Sequence, residues 1–309
     1  MRTTVRGVVV ALLLLCVSAA GTAHAQPAAV ASGAPAGVSS GVSSGSPTAG
    51  SRAMGWYLAL GDSLAAGYLH GTGDHRTDGY VGPTLAAVQD RTPKTKLVNL
   101  ACSGETTTSM ITGGRCDYEE GSQLAAAVEF LRAHSRTTRL VTIDIGGNDV
   151  ATCGFVLLPT SCTDPALDTL RTNLPVILDA LREAAGPHVQ IIVLDYYDPF
   201  LVYWLRLGPD APLFRLAALS SVTLLTGPGG VNDTIAAAAA GADAEVANIE
   251  GAFSTTAFTP TLPFPEHGDV PLNVIRICQW TTMCSNLDFH PNPEGYAVIA
   301  RAVIARLQE

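Results

Sequence analysis

Lysine is almost absent: Lys94 and Lys96 are the only two in 309 residues, and the formal net charge is −9. A surface so poor in cations offers no basic patch for nucleic acid or an anionic membrane. The apolar run Val8 to Val17 is about half of what a bilayer span requires, so no permanent anchor is expected. No cysteine pair has the two-residue spacing of a zinc knuckle, and no histidines flank one suitably, so no metal site is expected. No second composition shift divides residues 55–309, a stretch ample for one domain with a full core.

What is present begins with the pattern of a secretory signal over residues 1–25. Arg2 and Arg6 form its basic region, Val8 to Val17 its apolar core, and Ala23-His24-Ala25 its small-x-small cleavage site. Cys16 invites a lipoprotein reading, but the bulky Leu15 before it argues for a plain signal. A secreted, extracellular protein is expected. Residues 26–54 are Ala, Gly, Ser, Pro and Val, with the repeat Gly-Val-Ser-Ser-Gly-Val-Ser-Ser-Gly at 37–45. Such a segment cannot bury enough apolar surface to offset the entropy of ordering it, so it reads as a flexible linker. Within it, Gly41-Val42-Ser43-Ser44-Gly45 has nucleophile-elbow spacing, but no strand precedes it and no helix follows.

Past the signal six cysteines remain, an even number that in an exported chain suggests disulfides. They fall into three close pairs along the sequence. The expected bridges are Cys102–Cys116, Cys153–Cys162 and Cys278–Cys284, although other pairings are open in principle. Each closes a short loop, contributing roughly 2–3 kcal/mol in the chain-entropy model.

Five apolar runs, about 56–60, 96–100, 140–145, 189–195 and 244–249, read as strands. They are continuous rather than alternating, as when both faces of a parallel sheet are covered. Helical patterns lie between them at 82–89, 122–134, from Asp164-Pro165 to about Ala185, and at 213–240 with a break at Gly227-Pro228-Gly229-Gly230. A last one starts at Asn292-Pro293 and carries Tyr296, Ile299, Ala300, Val303 and Leu307 at helical spacing. This alternation predicts an α/β fold, a three-layer α/β/α sandwich on a five-stranded parallel sheet, flavodoxin-like in type.

The loops after the strands then share one edge of the sheet, and several carry polar residues. Gly61-Asp62-Ser63-Leu64 follows the first strand, which places a small hydroxyl where open α/β sheets build their sites. Cys102-Ser103-Gly104 follows the second, Gly146-Gly147-Asn148-Asp149 the third, and Asp288-Phe289-His290-Pro291 precedes the last helix. Singly, each has an ordinary explanation as a turn, a cap or a local hydrogen bond. On one sheet edge they supply a nucleophile, a base and hydrogen-bond donors.

In these four blocks, in order from about Trp56 to Leu307, the chain resembles the GDSL family, the SGNH hydrolases, and is most similar to its secreted actinobacterial lipases and esterases, which also carry three local disulfides. The resemblance implies a carboxylic-ester hydrolase with Ser63 as nucleophile and His290 as base. It also implies an oxyanion hole formed by the backbone N–H groups of Ser63 and Gly104 and the side-chain amide of Asn148. No metal or organic cofactor is required. One position departs from the family pattern. The aspartate usual three residues before the histidine is Leu287 here, and Asp288 stands two before. Either Asp288 reaches His290 Nδ1 through an altered turn, or the main-chain carbonyl near Leu287 orients the imidazole of a Ser63–His290 dyad. The dyad is preferred, because a one-residue shift re-aims a side chain considerably. Asp62 and Asp149 are expected to hold loops rather than serve as the acid.

The expected substrate is a small-molecule or lipid acyl ester and the expected state a monomer. Phe155-Val156-Leu157-Leu158 and Phe200-Leu201-Val202-Tyr203-Trp204 are candidates to line an acyl pocket. Deacetylation of a polysaccharide or glycan is the alternative chemistry, and surface binding on an inactive hydrolase fold the non-enzymatic one.

Overall fold

Five segments too continuously apolar for a half-solvated strand make the central sheet: β1 (Gly55–Gly61), β2 (Thr95–Asn99), β3 (Thr138–Asp144), β4 (Gln190–Leu194) and β5 (Glu245–Ala247). The structure is a computed structural model that describes residues 54–151, 153, 160–208 and 210–308. The signal, the linker up to residue 53 and the candidate pocket residues 155–158 lie outside the described residues. All five strands are parallel, in the order β2-β1-β3-β4-β5. Leu58 pairs with Val98 on one side and Val141 on the other, and Tyr57 through Leu60 are buried.

The helices are α1 (Val81–Arg91), α2 (Thr107–Thr112), α3 (Gln123–His134), α4 (Gly147–Ala151), α5 (Thr160–Ala185), α6 (Ala211–Thr226), α7 (Val231–Gly241), α8 (Ile249–Phe253), α9 (Leu272–Trp280), α10 (Met283–Asn286) and α11 (Pro293–Ile304). A 3-10 turn spans Pro199–Leu205, and the hairpin β6 (Thr261–Phe264) and β7 (Gly268–Pro271) lies apart from the main sheet. Helix α5 packs between α3 and α7, while α11 packs against α1 and α8, giving the outer layers of an α/β/α sandwich. Helix α5 turns Leu167, Leu170, Leu174, Ile177, Leu178 and Leu181 inward, a stripe at 3.6-residue period. Helix α11 starts where Asn292 Oδ1 accepts the Gly295 N–H at 3.0 Å, with Pro293 in its first turn.

Strands and principal helices follow the sequence expectation, including the break between α6 and α7. Helix α5 differs: it starts at Thr160 rather than at Asp164-Pro165. Thr163 is buried and Cys162 is bridged to Cys153, which extends the helix upstream of a proline that donates no backbone bond. All three expected sulfur pairs are bonded, with Cα–Cα distances of 6.2, 5.6 and 5.1 Å.

The strand order positions the site. From β1 the chain crosses to β2 on one side and then to β3 on the other. The loops leaving β1 and β3 therefore diverge, opening a crevice at their carboxyl ends.

Candidate active site

Ser63 occupies that crevice, two residues beyond β1. Gly61 makes the exit possible: its φ is +127°, and a Cβ there would run into the backbone of Asp144. Gln123 grips the same residue from α3. Its Oε1 accepts the Gly61 N–H at 2.6 Å, and its Nε2 donates to the Gly61 carbonyl at 3.0 Å and to Glu105 Oε2 at 3.0 Å. One buried amide thus ties the Ser63 turn to the loop that carries Gly104.

Asp62 and Asp144 complete the base of the turn. Asp62 Oδ1 accepts the Leu64 N–H at 3.0 Å, and its Oδ2 accepts the Tyr196 hydroxyl at 2.8 Å. Asp144 Oδ2 accepts the N–H groups of Asp62 and Ala65, each at 3.2 Å, and Oδ1 accepts the Tyr80 hydroxyl at 2.7 Å. Burial, and then the neighbouring Asp62 charge, push the Asp144 carboxyl well above the usual carboxylate range. Burial pushes Asp62 up as well, so this buried pair favours a shared proton over two charges. Asp149 holds another loop, accepting the Thr107 N–H at 2.9 Å and the Thr107 hydroxyl at 2.5 Å.

The opposite side of Ser63 is the turn before α11. His290 Nε2 lies 2.8 Å from Ser63 Oγ, and His290 Nδ1 lies 2.6 Å from Asp288 Oδ1. The preferred sequence reading, with the Leu287 carbonyl at Nδ1, does not match this placement. Leu287 ends α10 in the left-handed region at φ 55°, and that reversal swings Asp288 under the imidazole. Asp288 Oδ1 also accepts the His290 backbone N–H at 2.9 Å, so the two-residue spacing closes as an Asx-type turn. Thr282 anchors it, donating its N–H to the His290 carbonyl and its hydroxyl to the Asp288 carbonyl, both at 3.1 Å. The Cys278–Cys284 bridge spans the α9–α10 junction beside that anchor. Burial raises the Asp288 pKa, but hydrogen bonds from the His290 N–H, His70 and the His290 ring outweigh it and leave the carboxyl below its ordinary value. The His290 ring is flanked by Tyr68 and Phe289, with centroids at 4.2 and 4.4 Å.

Asn148 lines the crevice from the loop after β3, and Gly104 stands on the loop after β2. Gly104 has φ +81°, and a Cβ on it would collide with the Arg115 guanidinium, whose Nε donates to the Ser103 carbonyl at 3.0 Å. The left-handed φ is what favours glycine here, since the arginine side chain could give way. The Cys102–Cys116 bridge holds both sides of that contact. Asn148 Nδ2 donates to the Glu105 carbonyl at 2.9 Å, which fixes the amide at the start of α4.

A cavity of about 100 Å³ adjoins Ser63, Asn148 and His290, walled by Val150, Phe200, Leu224, Leu225 and Val231. Phe200, a sequence candidate for the pocket, is therefore at its wall. Sequence reasoning missed Gln123, Asp144, Tyr196 and His70. None lies in a motif, and only Asp144, a carboxylate inside the largely apolar run 140–145, carried a local signal.

A family model for the GDSL-like lipase/acylhydrolase family matches residues 59–298. Comparison with curated proteins gave no match. Among solved structures, a lipase from a goat rumen metagenome is 19% identical with a TM-score of 0.51, covering 82% of this chain and 100% of its own. A variant of an acetyl-xylooligosaccharide esterase from Geobacillus stearothermophilus is 17% identical with a TM-score of 0.48, covering 84% of this chain and 96% of its own. A carbohydrate acetylesterase from Sinorhizobium meliloti is 13% identical with a TM-score of 0.44, covering 82% of this chain and 97% of its own. Fold and matched family together define a carboxylic-ester hydrolase of the α/β class. The chain belongs to the GDSL-like lipase/acylhydrolase family.

Proposed function

We propose that the protein is an exported esterase or lipase that cleaves acyl esters through an acyl-enzyme on Ser63. The observation that carries this reading is the contact of His290 Nε2 with Ser63 Oγ at 2.8 Å, with Asp288 behind the ring at 2.6 Å. Ser63 Oγ attacks the ester carbonyl carbon as its proton passes to His290 Nε2, and Asp288 stabilises the imidazolium. The tetrahedral oxyanion is received by the N–H groups of Ser63 and Gly104 and by the second N–H of the Asn148 amide. Among the described residues neither backbone N–H has an intramolecular acceptor, which leaves both for an incoming oxygen. His290 returns its proton to the leaving alkoxide, and water repeats the sequence in reverse to release the acid.

The apolar cavity favours an acyl chain longer than acetyl, and hence a lipid-like ester over an O-acetyl glycan. Export is supported by the signal pattern at 1–25 and by three disulfides, which persist in oxidising compartments. No helix of the described residues is long and apolar enough to cross a membrane.

The test is hydrolysis of p-nitrophenyl esters from acetyl to palmitoyl. Ser63→Ala is expected to lower kcat by about 10³-fold or more; unchanged turnover would remove the nucleophile from the reading. A kcat/KM that peaks at acetyl and declines with length would favour the deacetylase.

A further inference from the structure

Asp288 uses only one of its oxygens on His290. The other, Oδ2, lies 3.0 Å from His70 Nδ1, a contact between residues 218 apart in sequence. His70 sits on the loop that leaves Ser63. That loop is tied down on both sides of the imidazole. The Tyr68 N–H donates to the Ser63 carbonyl at 3.0 Å, and the Tyr296 hydroxyl donates to the Tyr68 carbonyl at 2.8 Å. Leu69 and Gly73 then exchange two backbone hydrogen bonds at 2.9 Å, closing a tight turn with His70 at its start. Gly71 and Gly73, at φ 82° and 85° in open space, allow the chain to double back so sharply.

We propose that His70 is a positioning residue for ester hydrolysis, holding the Asp288 carboxylate in the orientation from which Oδ1 meets His290. The inference rests on the reading of Asp288 as the acid of a catalytic triad. The short spacing between acid and base creates the need for it. An aspartate two residues from its histidine is held by a turn whose preceding residue, Leu287, is 70% exposed and left-handed. With Oδ1 alone engaged, the carboxylate could rotate about its Cβ–Cγ bond, a torsion with broad and shallow preferences. A charge-assisted N–H bond to Oδ2 removes that freedom. Asp288 Oδ2 is an ionised acceptor, so a proton on His70 Nδ1 makes this bond. Nucleophile and second imidazole share one loop, so a displacement of that loop moves both ends of the relay together.

His70 is 40% exposed, which sets the expected effect well below that of losing Asp288 itself. On a soluble p-nitrophenyl ester, His70→Ala is expected to lower kcat about tenfold with KM within about twofold. His70→Asn keeps an N–H near the Nδ1 position and should recover most of the loss, whereas His70→Gln places its amide near Nε2 and should not. The two amides are comparable in polarity but not in turn preference, so their kcat values are compared per folded molecule, with the folded fraction read from urea midpoints, and the difference then reads geometry even if the alanine variant folds poorly. In the Asp288→Ala background, His70→Ala should have no further effect on kcat. Equal activity of the Asn and Gln variants, or a tenfold loss that persists without Asp288, would overturn the assignment. Wild-type kcat in Asp288→Ala alone would instead remove the triad reading beneath it, so the two failures are separable.

Discussion

Ser63 stands between two acidic environments that the fold builds in opposite ways. In front, the Asp288 side chain is 17% exposed and takes hydrogen bonds from three N–H groups, two of them on imidazole rings. Those donors outweigh its burial and hold it ionised. Behind, Asp144 is fully buried, and its nearest charged neighbour is another carboxylate, Asp62. Burial and that like charge push it toward its neutral form. Loss of water alone raises a carboxyl pKa, so donor supply decides which acid bears charge. The front acid can stabilise a developing imidazolium; the rear acid is a neutral strut under the nucleophile turn.

Breaking the front side has the largest expected effect. Asp288→Ala should lower kcat about 10³-fold or more in steady-state assays, with KM little changed. A loss of less than about tenfold would return the site to a Ser63–His290 dyad. Breaking the rear should show in stability first. Gln123→Leu leaves the Gly61 N–H buried without its side-chain acceptor, while the Gly61 carbonyl keeps the Cys102 N–H at 3.0 Å, at a cost of about 2 kcal/mol read from the urea midpoint at constant m. An unchanged midpoint would mean that the turn is held from the β3 side alone.

The contrast also shows which features a sequence carries. Gly61-Asp62-Ser63, Gly104 and Asn148 stood out as candidates because they follow strand ends, where a parallel sheet gathers its loops, and His290 because it precedes the last helix. Strands were legible because residues such as Tyr57 to Leu60 are buried on both faces. The position of Asp288 was not, since it depends on a left-handed Leu287, a conformation that leucine seldom adopts and no spacing rule anticipates. Gln123 and His70 were equally hidden. Their partners, Gly61 and Asp288, lie 62 and 218 residues away, and only tertiary structure brings them together. The hairpin of β6 and β7 carries prolines in both strands, which masked it.

Asp144→Asn sharpens the rear half of the comparison. A carboxyl whose folded pKa is raised binds its proton in the native state while the unfolded chain releases it. Its contribution to stability is full below pH about 4 and is lost as pH rises toward the elevated folded pKa. Asparagine is neutral throughout, and with its oxygen accepting the two N–H groups its amide N–H faces Tyr80, whose hydroxyl then accepts rather than donates. The variant should therefore gain in Tm relative to wild type between about pH 4 and 7, by a few degrees at the upper end. A gap that does not grow with pH would place the proton elsewhere.

The smallest effect concerns a third aspartate, on the wall of the acyl cavity. Asp198 is buried, with Oδ1 accepting the Phe200 N–H at 2.8 Å and Oδ2 the Ser221 hydroxyl at 2.7 Å. Burial pushes its pKa up to about 7, so it is neutral in mild acid and charged in mild base beside Leu224 and Leu225. Ionisation there should penalise a long acyl chain and spare a short one that does not reach the wall. The ratio of kcat/KM for decanoyl over acetyl ester should accordingly fall a few-fold between about pH 6 and 8, and stay level in Asp198→Asn. Titration of the shared base acts on both substrates and cancels in that ratio. A wild-type ratio as level as that of the variant would show that the chain does not sense this carboxyl, and the polar end of the cavity would lie beyond the reach of the acyl group.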